Sequence, residues 1–425
     1  MKYPKVLIIA NNCFSLTDSN GRTVGNFFQG WPKEKLAQFS IIMNDPNWSL
    51  CDNYFCVSDK AALLSIVGKK IYGKVVQRPN ITKENKFEIG KRSSIKKTAV
   101  SAFIRQMVWS IGCWKKEFNK WVEEYNPDVV LVVSGDAGFM LDLGRKVSKK
   151  RNIPLVIYNS ENYYFKDKDF MHPTACHEFF YKLYIWQYRH IFREFIKQAS
   201  RSIYINDALK KLYDKEFGLP SEVIYTSASI DCIEKDWNIA TPRFAYLGNL
   251  GLNRHISLIE IANTLQKMDG DYELEVYGRI PNENVKKAFD ECAGIKYCGM
   301  VPYEEVKNVI HSVDVVFHIE SFEPHYVEDL KYAFSTKIAD SLASGTNFVL
   351  YAPASLACSQ YVKENECAWL ITDKDKIQES LHRLINDDIE RSMILNNAKK
   401  VTRNNHNGQS NVDKFQKIIV GSINC

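Results

Sequence analysis

The sequence predicts an α/β protein made of two doubly wound, Rossmann-like domains. Three observations carry this expectation. Ten short apolar runs recur along the chain, separated by segments of helical period: "KVLIIAN" (5–11), "FSIIMN" (39–44), "DVVLVVSG" (128–135), "PLVIYNS" (154–160), "SIYIN" (202–206), "VIYTS" (223–227), "RFAYLG" (243–248), "YELEVYG" (272–278), "DVVFHIE" (314–320) and "NFVLYA" (347–352). Continuous apolar strands alternating with helices imply parallel sheets covered on both faces. The pattern also restarts after "SIDCIEKDWNIATP" (229–242), a polar stretch closed by a proline. Finally, 425 residues exceed what one hydrophobic core usually supports. The expected divisions are a domain over 1–227, a linker over 228–242, a domain over 243–405 and a tail over 406–425. Within that tail, "GQSNVDKFQKIIVG" (408–421) has a cap and an apolar face, so it reads as a terminal helix that can pack back on the first domain.

Composition excludes several classes. With 45% hydrophobic and 25% charged residues the chain is that of an ordinary globular protein. A net charge of +6 is too mild to argue for nucleic acid. Eleven cysteines without a CxxC pair, and no secretory pattern after "MKYPKVLIIANN", point to reduced thiols and a cytoplasmic location. No apolar run reaches the roughly 18–20 residues of a membrane-spanning helix.

Parallel sheets bind ligands at the carboxyl ends of their strands, and the second half of the chain gathers cations there. "YLGNLGLNRHISLIEIANTL" (246–265) is a strand ending in Gly248, a turn through Asn249 and Gly251, and Arg254 at a helix start, with Ile256, Leu258, Ile259 and Ala262 as its expected apolar face. "VYGRIP" (276–281) puts Arg279 at a second strand end, and Glu320 closes a third. "FSTKIADSLASGTNFVLYAP" (334–353) is a helix capped by Ser335 or Thr336, stopped at Gly345 and followed by a strand. Its free backbone N–H groups, the helix dipole and Lys337 make an anion site in outline. Three cations on one rim suit a diphosphate.

The series "GNLGLNR", "YGR", "YCGMVPYEEV", "SVDVVFHIESFE" and "STKIADSLASGT" resembles the donor half of retaining, family-4-like nucleotide-sugar glycosyltransferases of the GT-B fold, which build bacterial surface polysaccharides. The likeness covers 243–355 well and 1–227 in outline. It implies a donor-binding second domain, an acceptor-binding first domain and a cleft between them. It also implies a nucleotide diphosphate sugar as co-substrate, with no cofactor and no metal. The family's diphosphate-gripping basic residue falls on Arg254, and its ribose-holding carboxylate on Asp340. Asn249 stands where the family has a second basic residue, for which Lys337 or Arg279 can substitute, and Tyr332 where it has a second acid, for which Glu320, Glu323 and Glu328 are the alternatives.

In the first domain, "NNCFSLTDSNGRTVGNFFQGW" (11–31) reads as a long polar loop with a helix beginning near Arg22. It lies where the family keeps a glycine-rich loop close to the transferred sugar, which makes Gly21 and Arg22 donor-side candidates. Asp136 and Glu161 follow strands and face the same rim; Glu161 either positions an acceptor hydroxyl or caps a helix. Glu161, Asp136, Arg254 and Lys337 are therefore the catalytic candidates. "HPTACH" offers His172, Cys176 and His177, but no second ligand cluster completes a zinc site. Residues 91–120 carry eight basic residues and one acidic, with a stripe of Val100, Phe103, Ile104, Met107, Val108, Ile111 and Trp114. That stripe suits either an anionic bilayer, where a lipid-linked acceptor would wait, or packing on the sheet. The aromatics of 177–198 are expected to be buried. The reading is a cytoplasmic hexosyltransferase, either free or peripheral on the inner face of the membrane. Its rivals are a sugar-nucleotide epimerase or hydrolase, and a non-catalytic partner subunit.

Overall fold

A computed structural model describes residues 3–66, 74–76, 88–89, 97–112, 114–166, 171, 174, 176–237, 241–270 and 272–423. The chain forms two compact units, Met1–Tyr225 with Gln409–Cys425, and Thr226–Gly408.

The first unit is built on β1 (Val6–Asn12), β2 (Leu36–Asn44), β3 (Tyr54–Cys56), β4 (Lys74–Val76), β5 (Glu88–Ile89), β6 (Val129–Val133), β7 (Leu155–Asn159), β8 (Arg201–Tyr204) and β9 (Ser221–Val223). Their order is β4-β3-β2-β1-β6-β7-β8-β9, with β5 beside β2. All pairs are parallel except the two made by β4 and β5. The central strands are apolar throughout because helices cover both faces, and Val6 to Ile9 and Val129 to Val132 are wholly buried.

The second unit holds β10 (Phe244–Leu247), β11 (Leu274–Tyr277), β12 (Ile295–Gly299), β13 (Val315–Ile319), β14 (Asn347–Tyr351) and β15 (Trp369–Ile371) in the order β12-β11-β10-β13-β14-β15, all parallel. Counted within the unit this is 3-2-1-4-5-6, the dinucleotide-binding arrangement. Its strand order reverses between β10 and β13, which opens a crevice at their carboxyl ends.

Several elements differ from expectation. Segment 228–242 is not a free linker in its described part: the Ser229 N–H donates to Asp340 Oδ1 at 2.7 Å, the Ile233 N–H to Ser344 O at 3.1 Å, and Lys235 Nζ lies 3.2 Å from Asp314 Oδ1. Its polar backbone finds partners on the second unit, to which it belongs. The first helix starts at Ser19, not near Arg22, because Asp18 accepts from the Gly21 N–H at 2.9 Å and caps it. Asn20–Gly21 is thus its first turn. A Cβ on Gly21 would lie 2.2 Å from Cys13 O, so glycine permits the close approach.

Helix Ala99–Ile111 turns Ala99, Ala102, Gln106 and Trp109 inward and leaves Ile104, Met107 and Ile111 exposed. Trp114, placed by sequence on the same stripe, is instead buried against Phe39, Trp109 and Phe118. Helix His177–Ile196 buries Tyr184, Tyr188 and Phe192, but Phe179 and Trp186 are each 66% exposed, contrary to expectation. The chain's last helix, Gly408–Ile423, sinks Phe415, Ile418 and Ile419 into the first unit's core, where Phe415 meets the rings of Phe27 and Phe28 at 5.2 and 4.9 Å.

Candidate functional site

Within the second unit, β10 ends at Gly248 and hands over to the turn Asn249–Asn253 and the helix Arg254–Lys267. Leu252 and Asn253 both take left-handed backbone angles, φ 59° and 55°. For Leu252 that conformation costs on the order of 1–2 kcal/mol, so the turn is held by its surroundings. Asn253 supplies part of the hold, with its Nδ2 donating to both Glu323 carboxylate oxygens at 3.0 Å. The helix contributes Leu258, Ile261, Ala262 and Leu265 to the core, whereas Ile256, expected on that face, is 44% exposed.

This strained turn points Arg254 into the crevice. Arg254 Nε donates to Glu320 Oε2 at 2.8 Å, and a second guanidinium nitrogen lies 2.6 Å from the same oxygen. Glu320 follows β13 directly, so the pair spans the two strands at which the sheet order reverses. Its other oxygen lies 3.0 Å from His318 Nε2, one side-chain period earlier on the same strand face. Burial pushes the Glu320 carboxyl up, but His318 and Arg254 outweigh it and hold the acid below its ordinary range.

Across a cavity of about 230 Å³ stands the start of the helix Thr336–Ala343. Ser335 caps it, its Oγ accepting from the Lys337 N–H at 3.4 Å. Lys337 is an exposed residue, yet its Nζ reaches in over the strand end: a Cβ on Gly248 would lie 2.9 Å from it. Crowding by the surrounding protein, and then the Arg254 charge, lower the Lys337 pKa to about 8. Asn249, Arg254, Glu320, Ser335 and Lys337 therefore line one cavity, with Gly248 at its edge and Thr336 beside Ser335. His318 and Tyr246 also line it and were not singled out from sequence. The signal for His318 was its two-residue spacing from Glu320; Tyr246 reads as an ordinary strand aromatic.

Two donor-side candidates lie elsewhere. Arg279 sits exposed in the turn after β11 and does not line the cavity. Asp340, buried one turn inside its helix, accepts from the Ser229 N–H and does not line the cavity either. In the first unit, Gly21 and Arg22 lie on the helix after β1, and Asp136 and Glu161 follow β6 and β7. Asp136 is ion-paired with Lys97, and its carbonyl accepts from Tyr184 Oη at 2.6 Å. Glu161 is exposed. His172 and residues 91–96 lie outside the described residues; Cys176 and His177 begin the helix His177–Ile196. The expectation of metal-free chemistry meets two Asp-x-Asp triplets. Asp167 and Asp169 lie outside the described residues, and Asp373 caps the turn Lys374–Lys376 by accepting from the Asp375 N–H at 3.0 Å.

A family model described as "Glycosyl transferase-like" matches residues 254–417, the stretch that carries Arg254, Glu320 and Lys337. No curated protein sequence matches the chain. Solved structures match it nearly end to end. HepE from Anabaena, solved in complex with UDP-glucose, aligns over 98% of this chain and 99% of its own, at 10% identity and a TM-score of 0.61. The fold is GT-B. Sucrose-phosphate synthase from Thermosynechococcus elongatus gives a TM-score of 0.62 at 10% identity over 99% of both chains. WaaG, a glycosyltransferase involved in lipopolysaccharide biosynthesis, gives 0.58 at 11% over 98% of this chain and 100% of its own. The matched stretch covers the second unit from Arg254 onward and runs on into the helix Gly408–Ile423, which packs in the first.

Proposed function

We propose that the chain is a glycosyltransferase that binds a nucleoside diphosphate sugar in the second-unit crevice and passes the sugar to a glycan or lipid-linked acceptor in bacterial polysaccharide assembly. The observation that carries the proposal is the pair of cations, Arg254 and Lys337, on opposite walls of a cavity at the switch point of a 3-2-1-4-5-6 sheet. HepE binds UDP-glucose on the same fold, and WaaG acts in lipopolysaccharide biosynthesis. As the bond from sugar to phosphate breaks, negative charge grows on the departing diphosphate. Lys337, Arg254 and the N-terminus of the helix Thr336–Ala343 are already in place to meet it. Glu320 and His318 fix the guanidinium plane. Of the two first-unit acids, Glu161 is the exposed one, hydrogen-bonded to Tyr163, and it is our candidate to meet an acceptor hydroxyl, since Asp136 is ion-paired with Lys97.

A thermal-shift panel of nucleoside diphosphates tests this reading, because a ligand specific to the native state raises stability by RT ln(1 + [L]/Kd). One base should shift the melting point well beyond the others. Absence of any shift, with no sugar transfer from a donor panel, would exclude the function.

The Lys337 pKa of about 8 gives a pH signature. Below it the ammonium is charged and attracts the diphosphate; above it the attraction is lost. Affinity should hold to about pH 7.5 and fall as pH rises through 8, and Lys337→Arg, charged throughout, should flatten the profile by calorimetry.

Ile104, Met107 and Ile111 give the membrane a surface to meet. Replacing all three with serine should abolish sedimentation with anionic vesicles and leave the melting temperature unchanged, since none contributes to the core. If wild type does not sediment, the peripheral reading fails.

A further inference from the structure

The first unit contains a second cavity, of about 320 Å³, lined from the helices Ala99–Ile111, Lys115–Tyr125 and Gly138–Arg151. Phe139 and Trp114 form part of its apolar wall. Around it stand Lys115, Lys146, Lys150 and Arg151 against a single acid, Asp142. That acid is already shared between Arg145, at 2.8 Å, and Lys146. Lys115 donates to the carbonyl of Ser110 and has no carboxylate within salt-bridge reach among the described residues, while burial and then the Lys146 charge lower its pKa.

The dipole of the helix Gly138–Arg151 accounts for Lys150 and Arg151 in its last turn, but not for Lys115 and Lys146. The helix Lys115–Tyr125 opens on this cavity with no side-chain cap, so its first N–H groups add to the positive field. Trp114 is only 1% exposed, and its indole N–H has no hydrogen-bond partner among the described residues. Apolar walls, a cationic mouth and an uncapped helix start are complementary to an anion carried on an apolar body. The phosphate-binding end of the cavity is set back from the acceptor rim: Lys146 lies roughly 12 Å along the axis of the helix that begins just after Asp136, while Phe139 lines the cavity from that helix's first turn.

We infer that this cavity binds a phosphomonoester attached to a hydrocarbon chain, the phosphate between Lys115 and Lys146 and the chain against Trp114 and Phe139. The site lies in the first unit and does not depend on the donor reading of the second.

The test is calorimetric titration of the full chain with dihexanoyl phosphatidate below its micelle concentration. Dihexanoyl phosphatidylcholine and inorganic phosphate serve as separate arms. Phosphatidate should bind saturably, with inorganic phosphate and phosphatidylcholine each at least tenfold weaker. The Lys115→Gln/Lys146→Gln variant should lose at least tenfold in phosphatidate affinity while keeping its melting temperature and its nucleoside diphosphate binding. No saturable binding, inorganic phosphate binding as tightly as phosphatidate, or an unchanged affinity in the double variant would each overturn the inference.

Discussion

Arg254→Ala is expected to cost about 3–5 kcal/mol of stability and at least tenfold in nucleoside diphosphate affinity. The first effect arises because Glu320, only 5% exposed, is left with a buried charge and only His318 to share it. The second arises because a charge-assisted contact to phosphate contributes about 1.5–3 kcal/mol. Adding Glu320→Gln separates the two. The double variant should recover most of the stability, since the unpaired charge is gone, but not the affinity, since the cation is still missing. Acid titration gives an independent check. Glu320 is held below its ordinary value of 4.5, so its pairing stabilises the wild type above that value and the benefit is lost as pH falls through the lowered one. In Arg254→Ala the upward push of burial is less opposed, and this acid-dependent loss should begin at higher pH. Chemical denaturation between pH 3 and 7 measures it.

The second large effect is far from the crevice. Phe415→Ala should destabilise the first unit by about 3–5 kcal/mol, as for any large aromatic removed from a packed interior. Its ring is fully buried against Phe27 and Phe28, in the core of the unit to which its helix belongs. Nucleotide affinity, a property of the other unit, should be unchanged. Two-stage denaturation with only the first unit's transition shifted is the expected curve; an unshifted curve would mean that the helix Gly408–Ile423 is not integral to that core.

What sequence revealed followed from periodicity and charge. The central strands β1, β6, β7, β13 and β14 are mostly apolar runs buried almost throughout. The short strands β3, β4, β5 and β15 have three residues or fewer, too short for a period to register. Arg254 and Lys337 were legible because a cation next to a strand end or a capped helix start is a local feature. That Arg254 binds Glu320, and that Asp340 turns to Ser229, depends on pairs 66 and 111 residues apart, which no local pattern encodes. Helix Ala99–Ile111 is apolar nearly all round, so sequence could not tell which side meets the core. Trp109 settles the packing inward, with its ring stacked on Phe139 at 4.4 Å.

The donor site is tested most directly through Lys337, because its exposed side chain can be cut without opening the core. Calorimetric titration of UDP, or of whichever diphosphate the thermal panel selects, into wild type and Lys337→Ala at pH 7 is the measurement. The expected result is saturable binding to wild type and at least tenfold weaker binding to the variant, with equal melting temperatures. Equal affinity for the two proteins, or no binding to either, would contradict a diphosphate site between Arg254 and Lys337.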